Sequence, residues 1–469
     1  MENNFDLNGA ANIHSDLADV LIIYPPLHRL YGERKQWMPL SILYLATYLN
    51  EHGISAKAYN ADCCITEPEC VMTYTNRFLF ARNYINNLNS DNEIWDEVRE
   101  TLRQVRPKVI GISVLTEALG AVKKLTDLIH TDSPDTVIVA GGPHAEIDPE
   151  FLLQELHVDY TIKGDGEKSL YYLAKALLKH EAPEKVLGGY IRNRIIFSDP
   201  ISIDELPIPK LEYHYRYDLY RKVGRKLNIS TSRGGCVYAC KFCYCSKYKY
   251  ALRFRSPESV VAEIAYYVEH YQTQKLFFVD DTFTFDRKYV EVVCSMIIKK
   301  GLPVSWTCTT RAKQVDTELL WLMKRAGCKS IHIGVESGSG RILELIDKKI
   351  QVDDVVNTVR LIKNSGIECR LFFMAGLPTE TPYDLRCTID LIRYVKPDET
   401  IMSMYVPVPG TFLYDFICTH YYPLDQIDWT IFSRDQLPYH MYIDDVDGTY
   451  DQVLHSLYQL VEELNAQKE

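Results

Sequence analysis

The run Thr231-Ser232-Arg233-Gly234-Gly235-Cys236-Val237-Tyr238-Ala239-Cys240-Lys241-Phe242-Cys243-Tyr244 decides how the rest of this 469-residue sequence is interpreted. Its cysteines have the spacing C-x3-C-x2-C, one ligand fewer than a tetrahedral zinc site or a closed iron–sulfur cluster takes from protein. Three thiolates on one short loop can hold three corners of a 4Fe-4S cube. The fourth iron is then open to a ligand that is not protein.

A zinc loop, with Cys245 as fourth ligand, is the alternative. The flanking sequence favours the cluster, because such a motif needs a strand before it and a helix after it. Residues 227–231 read as the strand. Ser256-Pro257-Glu258 then opens a helix, with serine as N-cap and proline at the first helical position. We expect the metal ligands to be Cys236, Cys240 and Cys243, and Cys245 to be a bystander.

The bulk composition excludes several classes of protein. The chain is 46% hydrophobic and 25% charged, which is ordinary for a globular protein of two or three domains. A net charge of -11 and a pI near 5.7 argue against a nucleic-acid binder. Thirteen irregularly spaced cysteines indicate a reduced, cytoplasmic protein with a metal site. We expect no signal peptide and no membrane span.

Residues 1–185 alternate short apolar runs with helical patterns, and this alternation predicts an α/β domain. Continuous apolar strands between helices form a parallel sheet that is covered on both faces. Such a doubly wound, Rossmann-like domain binds its ligand at the carboxyl ends of the strands. The predicted strands are 19–24, 109–113, 136–140 and 160–162.

The rest of the chain divides into three further segments. Residues 186–220 contain Asp199-Pro200 and Leu206-Pro207-Ile208-Pro209 and read as an extended linker. Residues 221–410 contain six β/α units, two short of a closed barrel, which predicts a partial β/α barrel with its functional groups at the strand ends. Residues 411–469 read as a small C-terminal cap with a helix at about 453–464. The barrel strands are predicted at 227–231, 276–279, 304–307, 330–333, 369–373 and 401–405.

Two glycine-rich turns follow predicted strands of the first domain. They read Gly141-Gly142-Pro143-His144 and Gly164-Asp165-Gly166-Glu167. Glycines at strand ends let a large ligand approach the main chain. Each turn alone is a weak signal, and the chain has no P-loop sequence.

The cysteine spacing, with Phe242 between the last two cysteines, resembles the signature of the radical S-adenosylmethionine (radical SAM) superfamily. There the open iron chelates S-adenosylmethionine, and an electron cleaves it to a 5'-deoxyadenosyl radical. With the preceding domain, the chain resembles the cobalamin-dependent radical SAM enzymes over residues 20 to 415. The matching segments are 24–26, 39–46, 141–144, 164–167, 279–283, 333–338 and 376–381.

The resemblance implies two sets of binding residues. Expected contacts of the corrinoid are Ser113, Gly141, Gly142, His144, Gly164, Gly166 and Glu167. Expected contacts of S-adenosylmethionine are Phe242, Tyr244, Asp281, Glu336 and Ser337.

Several side chains have two open roles. His144 either contacts the corrinoid or stabilises its turn. Glu336 either contacts S-adenosylmethionine or pairs with Arg311. Of Asp280 and Asp281, one binds near S-adenosylmethionine and the other caps the turn. Arg233 either neutralises a substrate carboxylate or the cluster, or is a solvated loop residue.

The sequence departs from one known cobalamin motif. Cobalamin mutases carry Asp-x-His-x-x-Gly, whose histidine ligates cobalt. This chain has Pro25-Pro26-Leu27-His28 and a glycine only at position 32. The radical SAM group commonly lacks that motif too, so the resemblance implies cobalamin without a histidine ligand, and His28 is more simply a loop histidine.

The resemblance implies a methyltransferase that moves a methyl group from S-adenosylmethionine, via methylcobalamin, to an unactivated carbon of a small molecule. An external donor of the flavodoxin or ferredoxin type would supply electrons.

The alternatives are a non-methylating enzyme, such as an oxidative cyclase or a ring-rearranging enzyme, and a non-catalytic corrinoid-binding sensor. A methylthiotransferase needs a second cluster, for which Cys63, Cys64 and Cys70 are too crowded. The catalytic acid or base and the substrate are not identified by the sequence, and the pocket is expected to involve the aromatic residues Tyr405, Tyr414, Tyr439, His440 and Tyr442.

Overall fold

A computed structural model describes most of the chain. The described residues are 17–34, 37–64, 77–183, 189–217, 226–247, 250–424, 427–430, 439, 442–443, 445 and 447–466. Cys70 and His440, which the sequence analysis names, lie outside these ranges, as do parts of the predicted linker.

The first domain is a mostly parallel sheet of seven strands. Its strand order is β2-β1-β3-β4-β5-β7-β6, and the β6–β7 pair is antiparallel. The strands are β1 (Val20–Tyr24), β2 (Ala56–Asn60), β3 (Val109–Ser113), β4 (Val137–Gly141), β5 (Tyr160–Lys163), β6 (Gly189–Arg192) and β7 (Ile195–Ser198). Its helices are α1 (His28–Tyr31), α2 (Leu40–Glu51), α3 (Arg77–Asn89), α4 (Glu93–Val105), α5 (Leu119–Asp132), α6 (Pro143–Ile147), α7 (Pro149–Gln154) and α8 (Gly166–Leu178).

The predicted Rossmann-like class is confirmed, with three strands that the sequence did not indicate. All five residues of β1 are buried, as a central strand covered on both faces requires. Strand β2 was missed because Ala-Lys-Ala-Tyr-Asn has little apolar character. Strands β6 and β7 lie inside the segment interpreted as a linker, since each is only four residues long and no helix separates them.

The second domain is a six-stranded parallel sheet in the order β8-β11-β12-β13-β14-β15, so the predicted partial barrel is confirmed. The first and last strands do not pair with each other, and the barrel is open. Its strands are β8 (Leu227–Ile229), β11 (Lys275–Phe278), β12 (Ser305–Thr310), β13 (Cys328–Glu336), β14 (Glu368–Ala375) and β15 (Glu399–Met404), and a separate two-stranded ribbon joins β9 (Ser232–Arg233) to β10 (Arg253–Phe254).

Helices between the barrel strands begin where the sequence signals predict. Ser256 caps the first of them by accepting a hydrogen bond from the backbone N–H of Ser259. The Thr381–Asp384 capping box forms with both of its hydrogen bonds. The helices are α9 (Pro257–Tyr271), α10 (Arg287–Lys299), α11 (Thr317–Arg325), α12 (Gly340–Leu345), α13 (Val352–Asn364), α14 (Pro382–Val395) and α15 (Phe412–His420).

A last helix, α16 (Thr449–Ala466), packs against α14 and β15 at the open edge of the barrel. Its Asn465 side chain exchanges hydrogen bonds with the backbone of Thr400. Its Tyr450 hydroxyl donates to Glu380 Oε2 at 2.6 Å and accepts from the backbone N–H of Gly376 at 2.9 Å. The cap is thus fixed to the end of β14. None of the described helices is apolar over a length that could cross a membrane.

Buried polar groups join the two domains. Arg255 and Glu263 of the second domain lie 2.5 Å apart, and the Arg255 guanidinium also donates to the Tyr44 hydroxyl of α2 at 3.1 Å. All three side chains are nearly inaccessible to water. Asn228 donates to the backbone oxygen of Met38 at 3.0 Å. These contacts place the carboxyl ends of the two sheets against each other.

The buried Glu380 predicts a pH-dependent stability. Burial raises its pKa from 4.5 to about 7. The folded chain therefore keeps a proton that the unfolded chain releases, and the stability gained below pH 4.5 is lost as the pH rises through about 7. The loss amounts to roughly 3 kcal/mol.

We expect Glu380→Gln to remove most of the fall in Tm between about pH 5 and about pH 8, because the amide cannot ionise. Calorimetry at a fixed scan rate measures this. Glu368→Gln, at an exposed position at the start of β14, is the matched control and should keep the wild-type pH profile. An unchanged profile for Glu380→Gln would contradict the assignment.

Candidate functional site

A cavity of about 550 Å³ lies between the two domains. It contains six of the seven residues that the sequence analysis assigned to a corrinoid, namely Ser113, Gly141, Gly142, Gly164, Gly166 and Glu167. The barrel side of the wall includes Asn228, Ser230, Arg233, Gly234 and Val279. The cavity is therefore at the carboxyl ends of the strands of both sheets, where parallel sheets bind ligands.

Two glycines of this wall have backbone conformations that favour glycine. Gly142 has a φ of 90° and Gly164 a φ of 95°. A Cβ atom on Gly142 would lie 3.0 Å from the backbone nitrogen of Val114, and one on Gly164 would lie 2.7 Å from the hydroxyl of Tyr250. The glycine signals in the sequence therefore reflect both a turn requirement and a close approach.

Glu167 supplies a hydrogen-bond acceptor to the cavity wall. Its residue is 2% exposed, and Oε1 lies 2.7 Å from the guanidinium of Arg233. The second oxygen, Oε2, is buried and has no hydrogen-bond partner in the structure. An unpaired buried acceptor is costly, so a ligand that donates hydrogen bonds is favoured here. The amide-bearing rim of a corrinoid has such donors.

The two candidate histidines have other surroundings. His144 lies behind the glycine turn and outside the cavity wall, with Nδ1 3.0 Å from the Thr116 hydroxyl, and burial lowers its pKa to about 4. Its contacts favour the turn-stabilising role. His28 is held by Asp62 at 2.5 Å. None of the described residues that line the cavity is a histidine.

The cysteine loop is anchored at its first residues. Asp280, at the end of β11, accepts hydrogen bonds from the backbone N–H groups of Thr231 and Ser232 and from the Ser232 hydroxyl at 2.6 Å. Gly234 follows with a φ of 119°. Further along, the backbone N–H of Lys241 donates to the Ile346 oxygen at 2.9 Å. The loop is thus tied to the segment after β11 and to the end of helix α12.

The three thiols of the loop have different neighbours. Cys240 is buried, 3.5 Å from the Arg311 guanidinium. Burial raises the pKa of Cys236, whereas a hydrogen bond with Cys245 lowers the pKa of Cys243. Within the described ranges, no three Cys, His, Asp or Glu side chains gather around a single metal-ion position. Three thiols spread along one loop match a donor set that occupies separate corners of a cube.

Glu336 has a different partner from the one weighed in the sequence analysis. Its Oε1 lies 2.6 Å from the Lys348 Nζ, and both residues are buried. Arg311 instead stacks on the Tyr238 ring and donates a hydrogen bond to the backbone oxygen of Lys348, so the alternative in which Glu336 pairs with Arg311 is not the one that the structure forms. Glu336 has a φ of 74° at a bulge in β13. A non-glycine residue with a positive φ has a strained backbone, and such strain is typical of functional sites.

The remaining predicted contacts of S-adenosylmethionine differ in their surroundings. The Phe242 ring lies 5.7 Å from the Lys348 ammonium. Asp281 lines a second cavity of about 140 Å³ together with Cys236. Tyr244 is half-buried in a short turn of residues 244–247. The Ser337 hydroxyl is buried and accepts from the backbone N–H of Ser339, so it stabilises the turn after β13.

The two cavities adjoin. Four residues line both of them: Ser230, Arg233, Gly234 and Val279. Arg233 is neither solvated nor directed to the cysteines. It pairs with Glu167 and lies 3.8 Å from Asp165, both in the first domain.

Comparison with known proteins follows this division. Residues 231–392 match the model of the radical SAM superfamily, and residues 34–174 match the B12 binding domain. An uncharacterised methyltransferase of Pyrococcus horikoshii is 28% identical over 69% of this chain and 72% of its own. An anaerobic magnesium-protoporphyrin IX monomethyl ester cyclase of Rubrivivax gelatinosus is 26% identical over 84% and 69%.

Among solved structures, the radical S-adenosylmethionine methyltransferase TsrM of Kitasatospora setae, with cobalamin and a [4Fe-4S] cluster bound, has a TM-score of 0.65. It shares 19% identity and covers 85% of this chain and 77% of its own, which shows a common fold.

The three-cysteine loop at the mouth of a partial barrel therefore defines a radical SAM enzyme. Because a B12 binding domain precedes it, the chain belongs to the cobalamin-dependent radical SAM enzymes. Its cofactors are a 4Fe-4S cluster, S-adenosylmethionine and cobalamin. The donor set fits them: three loop thiols for the cluster, and a glycine-lined cleft with an unpaired Glu167 oxygen for the corrinoid.

Lys348 contacts two of the predicted site residues, Glu336 and Phe242, and the sequence analysis did not name it. It lies in the run Asp-Lys-Lys-Ile after α12, where two adjacent lysines give no sign of which one is buried. Its partner Glu336 was identified, but a pair twelve residues apart needs the three-dimensional path of the chain to be found.

We predict that Lys348→Met weakens S-adenosylmethionine binding at least tenfold, because Glu336 would be left as an unpaired buried charge. Equilibrium binding to the cluster-loaded protein measures this. Lys349→Met is the matched control, since the Lys349 side chain is 67% exposed. Lys348→Arg should retain part of the affinity. Equal affinities in all three variants would show that Glu336 does not need its partner.

We also predict that Cys240→Ala abolishes reductive cleavage of S-adenosylmethionine and leaves corrinoid binding intact, because the cluster has lost one of its three ligands. Cys245→Ala should keep about four irons per chain. Iron analysis and detection of 5'-deoxyadenosine provide the readouts. Loss of iron from Cys245→Ala would make Cys245 a ligand, and continued cleavage by Cys240→Ala would contradict the radical chemistry.

Proposed function

We propose that this enzyme is a methyltransferase that moves a methyl group from S-adenosylmethionine, with a corrinoid as carrier, to an unactivated carbon of a small molecule. One observation carries the proposal: the corrinoid cleft and the cavity beside the cysteine loop share four wall residues. A methyl carrier in the first cavity and a radical source at the second would therefore lie next to each other, as transfer to a carbon radical requires. Such positioning is the main contribution of a protein to cofactor chemistry.

When bound, the cluster supplies the electron that cleaves S-adenosylmethionine, and the corrinoid supplies the methyl group. The chain holds these partners in place. Asp280 fixes the start of the cysteine loop, and the strained Glu336 presents its carboxylate beside that loop. Glu167 offers an acceptor to the cleft. Apolar side chains of β1 and α2, among them Ile22 and Leu45, exclude water from it.

The proposal includes an external electron donor of the flavodoxin or ferredoxin type and a cytoplasmic setting. The loop is accessible to such a donor, because Val237, between the first two cysteines, is 51% exposed. We propose that the substrate contacts the C-terminal cap. Two of the predicted aromatic pocket residues, Tyr405 and Tyr442, are buried close to each other, and Glu380 lies near Tyr442.

Oxidative cyclisation is the second candidate. The cyclase relative aligns with 84% of this chain, a larger share than the 69% of the methyltransferase relative. A sensor without catalysis would have no use for the buried contacts that anchor the cysteine loop.

Anaerobic turnover with S-adenosylmethionine that carries a deuterated methyl group tests the proposal. We expect a product with a trideuteromethyl group, together with equal amounts of 5'-deoxyadenosine and S-adenosylhomocysteine, because one molecule of S-adenosylmethionine supplies the radical and another the methyl group. A panel of candidate small molecules is required.

Three other outcomes would contradict methyl transfer to a carbon radical. A product without deuterium, with 5'-deoxyadenosine but no S-adenosylhomocysteine, would favour cyclisation. S-adenosylhomocysteine without 5'-deoxyadenosine would indicate polar methyl transfer alone. Corrinoid binding without cleavage of S-adenosylmethionine under any reductant would favour the sensor.

A further inference from the structure

Arg233 is the one charged residue among the four described residues that line both cavities. It lies three residues before Cys236, in the ribbon strand β9 that leads into the cysteine loop. Its side chain belongs to the walls of both cavities. It is also charged, whereas the other residues common to both walls, Ser230, Gly234 and Val279, are not.

The charge partners of Arg233 lie in the corrinoid-binding domain. Its guanidinium is 2.7 Å from Glu167 Oε1 and 3.8 Å from Asp165 Oδ1, and it lies 5.0 Å above the ring of Tyr44. The Arg233 side chain is 20% exposed and that of Glu167 only 2%. Because little water surrounds this ion pair, each side chain helps to hold the other in place. Removal of one partner would leave the other as a buried, unpaired charge.

Removal of Arg233 would deprive Glu167, more than Asp165, of its positively charged partner. Asp165 keeps other donors, because its Oδ2 accepts from Arg253 at 2.9 Å and from the backbone N–H of Ile201 at 3.0 Å. Glu167 has its second oxygen buried without a partner. The Arg233–Glu167 pair is therefore the shorter of two electrostatic connections, beside Arg233–Asp165, between the corrinoid cleft and the strand that begins the cysteine loop.

We propose that Arg233 couples the two cofactor sites, so that a corrinoid in the cleft and S-adenosylmethionine at the cysteine loop each strengthen the binding of the other. A ligand that engages Glu167 orders the ion pair and the β9 strand. The second ligand then binds to a wall that is already ordered, so the protein loses less conformational entropy when that ligand binds. Coupling of this kind is reciprocal and typically changes an affinity about fivefold or more.

The coupling rests on the cofactor set of the proposed function and not on methyl transfer. It has a consequence for assembly of the active complex, because the radical precursor would bind best once the methyl carrier is in place. Arg233 is in this sense a positioning residue that acts through Glu167.

The experiment measures the Kd of hydroxocobalamin for the full-length, cluster-loaded protein with and without saturating S-adenosylmethionine. No reductant is added, so no cleavage occurs. We expect the wild-type Kd to fall at least about fivefold when S-adenosylmethionine is present. Arg233→Gln should bring this ratio close to one. Should that variant fold poorly, Arg233→Gln combined with Glu167→Gln removes both charges and should give the same ratio.

Arg253→Gln is the matched control. Arg253 pairs with Arg233 across the β9–β10 ribbon and contacts the same domain through Asp165, but it lines neither cavity. It should keep the wild-type ratio. The coupling is refuted by a wild-type ratio of one, by a wild-type ratio in Arg233→Gln, or by an equal loss in Arg253→Gln, which would indicate domain docking alone. Absence of product labelling would not affect these ratios, so the two proposals fail separately.

Discussion

Arg255 and Glu263 lie 2.5 Å apart with almost no water around them, and Tyr44 reaches them from the other domain. Burial raises the pKa of Glu263, and the nearby guanidinium opposes that rise. A charge pair in such a place is costly to break, because either partner alone would be a buried, uncompensated charge. These few polar atoms therefore constrain the relative position of the two domains, together with an apolar core that includes residues of both.

Two parallel sheets meet in this protein with their carboxyl ends facing each other. Each sheet alone would place its ligand-binding loops toward solvent. Facing each other, the loops enclose a space that has glycine backbone on one side and the cysteine loop on the other. The glycines are needed at their positions because Gly142 and Gly164 combine a positive φ with close neighbours. On the first domain the cleft is thus lined by glycine backbone and by apolar side chains such as Ile22 and Leu45, and on the second it includes the Arg233 side chain.

The sequence was sufficient for local, strongly patterned features. The cysteine spacing, the six barrel units and the Thr381 capping box each involve neighbouring residues, and the structure contains them. The sequence did not predict pairings between distant residues, such as Lys348 with Glu336 and Arg233 with Glu167. It also did not indicate strand β2, which is only weakly apolar. His144 shows the same limit, since its place after a strand suggested a ligand, whereas its burial behind the turn depends on Thr116 and Phe151. A charged residue or a glycine in a suggestive position therefore predicts a functional or structural role for that residue. The residue with which it interacts is determined by the three-dimensional fold.

The attachment of the cap gives this architecture a modular character. The matched family regions end at residues 174 and 392, before the cap begins. Helix α16 is held to the barrel by packing on α14 and β15, and by the hydrogen bonds of Tyr450 and Asn465. Helix α15 of the cap, by contrast, contacts the cysteine loop, because the backbone N–H of Leu413 donates to the Lys241 oxygen at 3.1 Å. Sequence change in α16 can therefore accumulate without altering the residues that hold the cofactors, provided that its few attachment points persist. Diversification of such enzymes toward new acceptors would then proceed through the last helix, with the cofactor apparatus left unchanged.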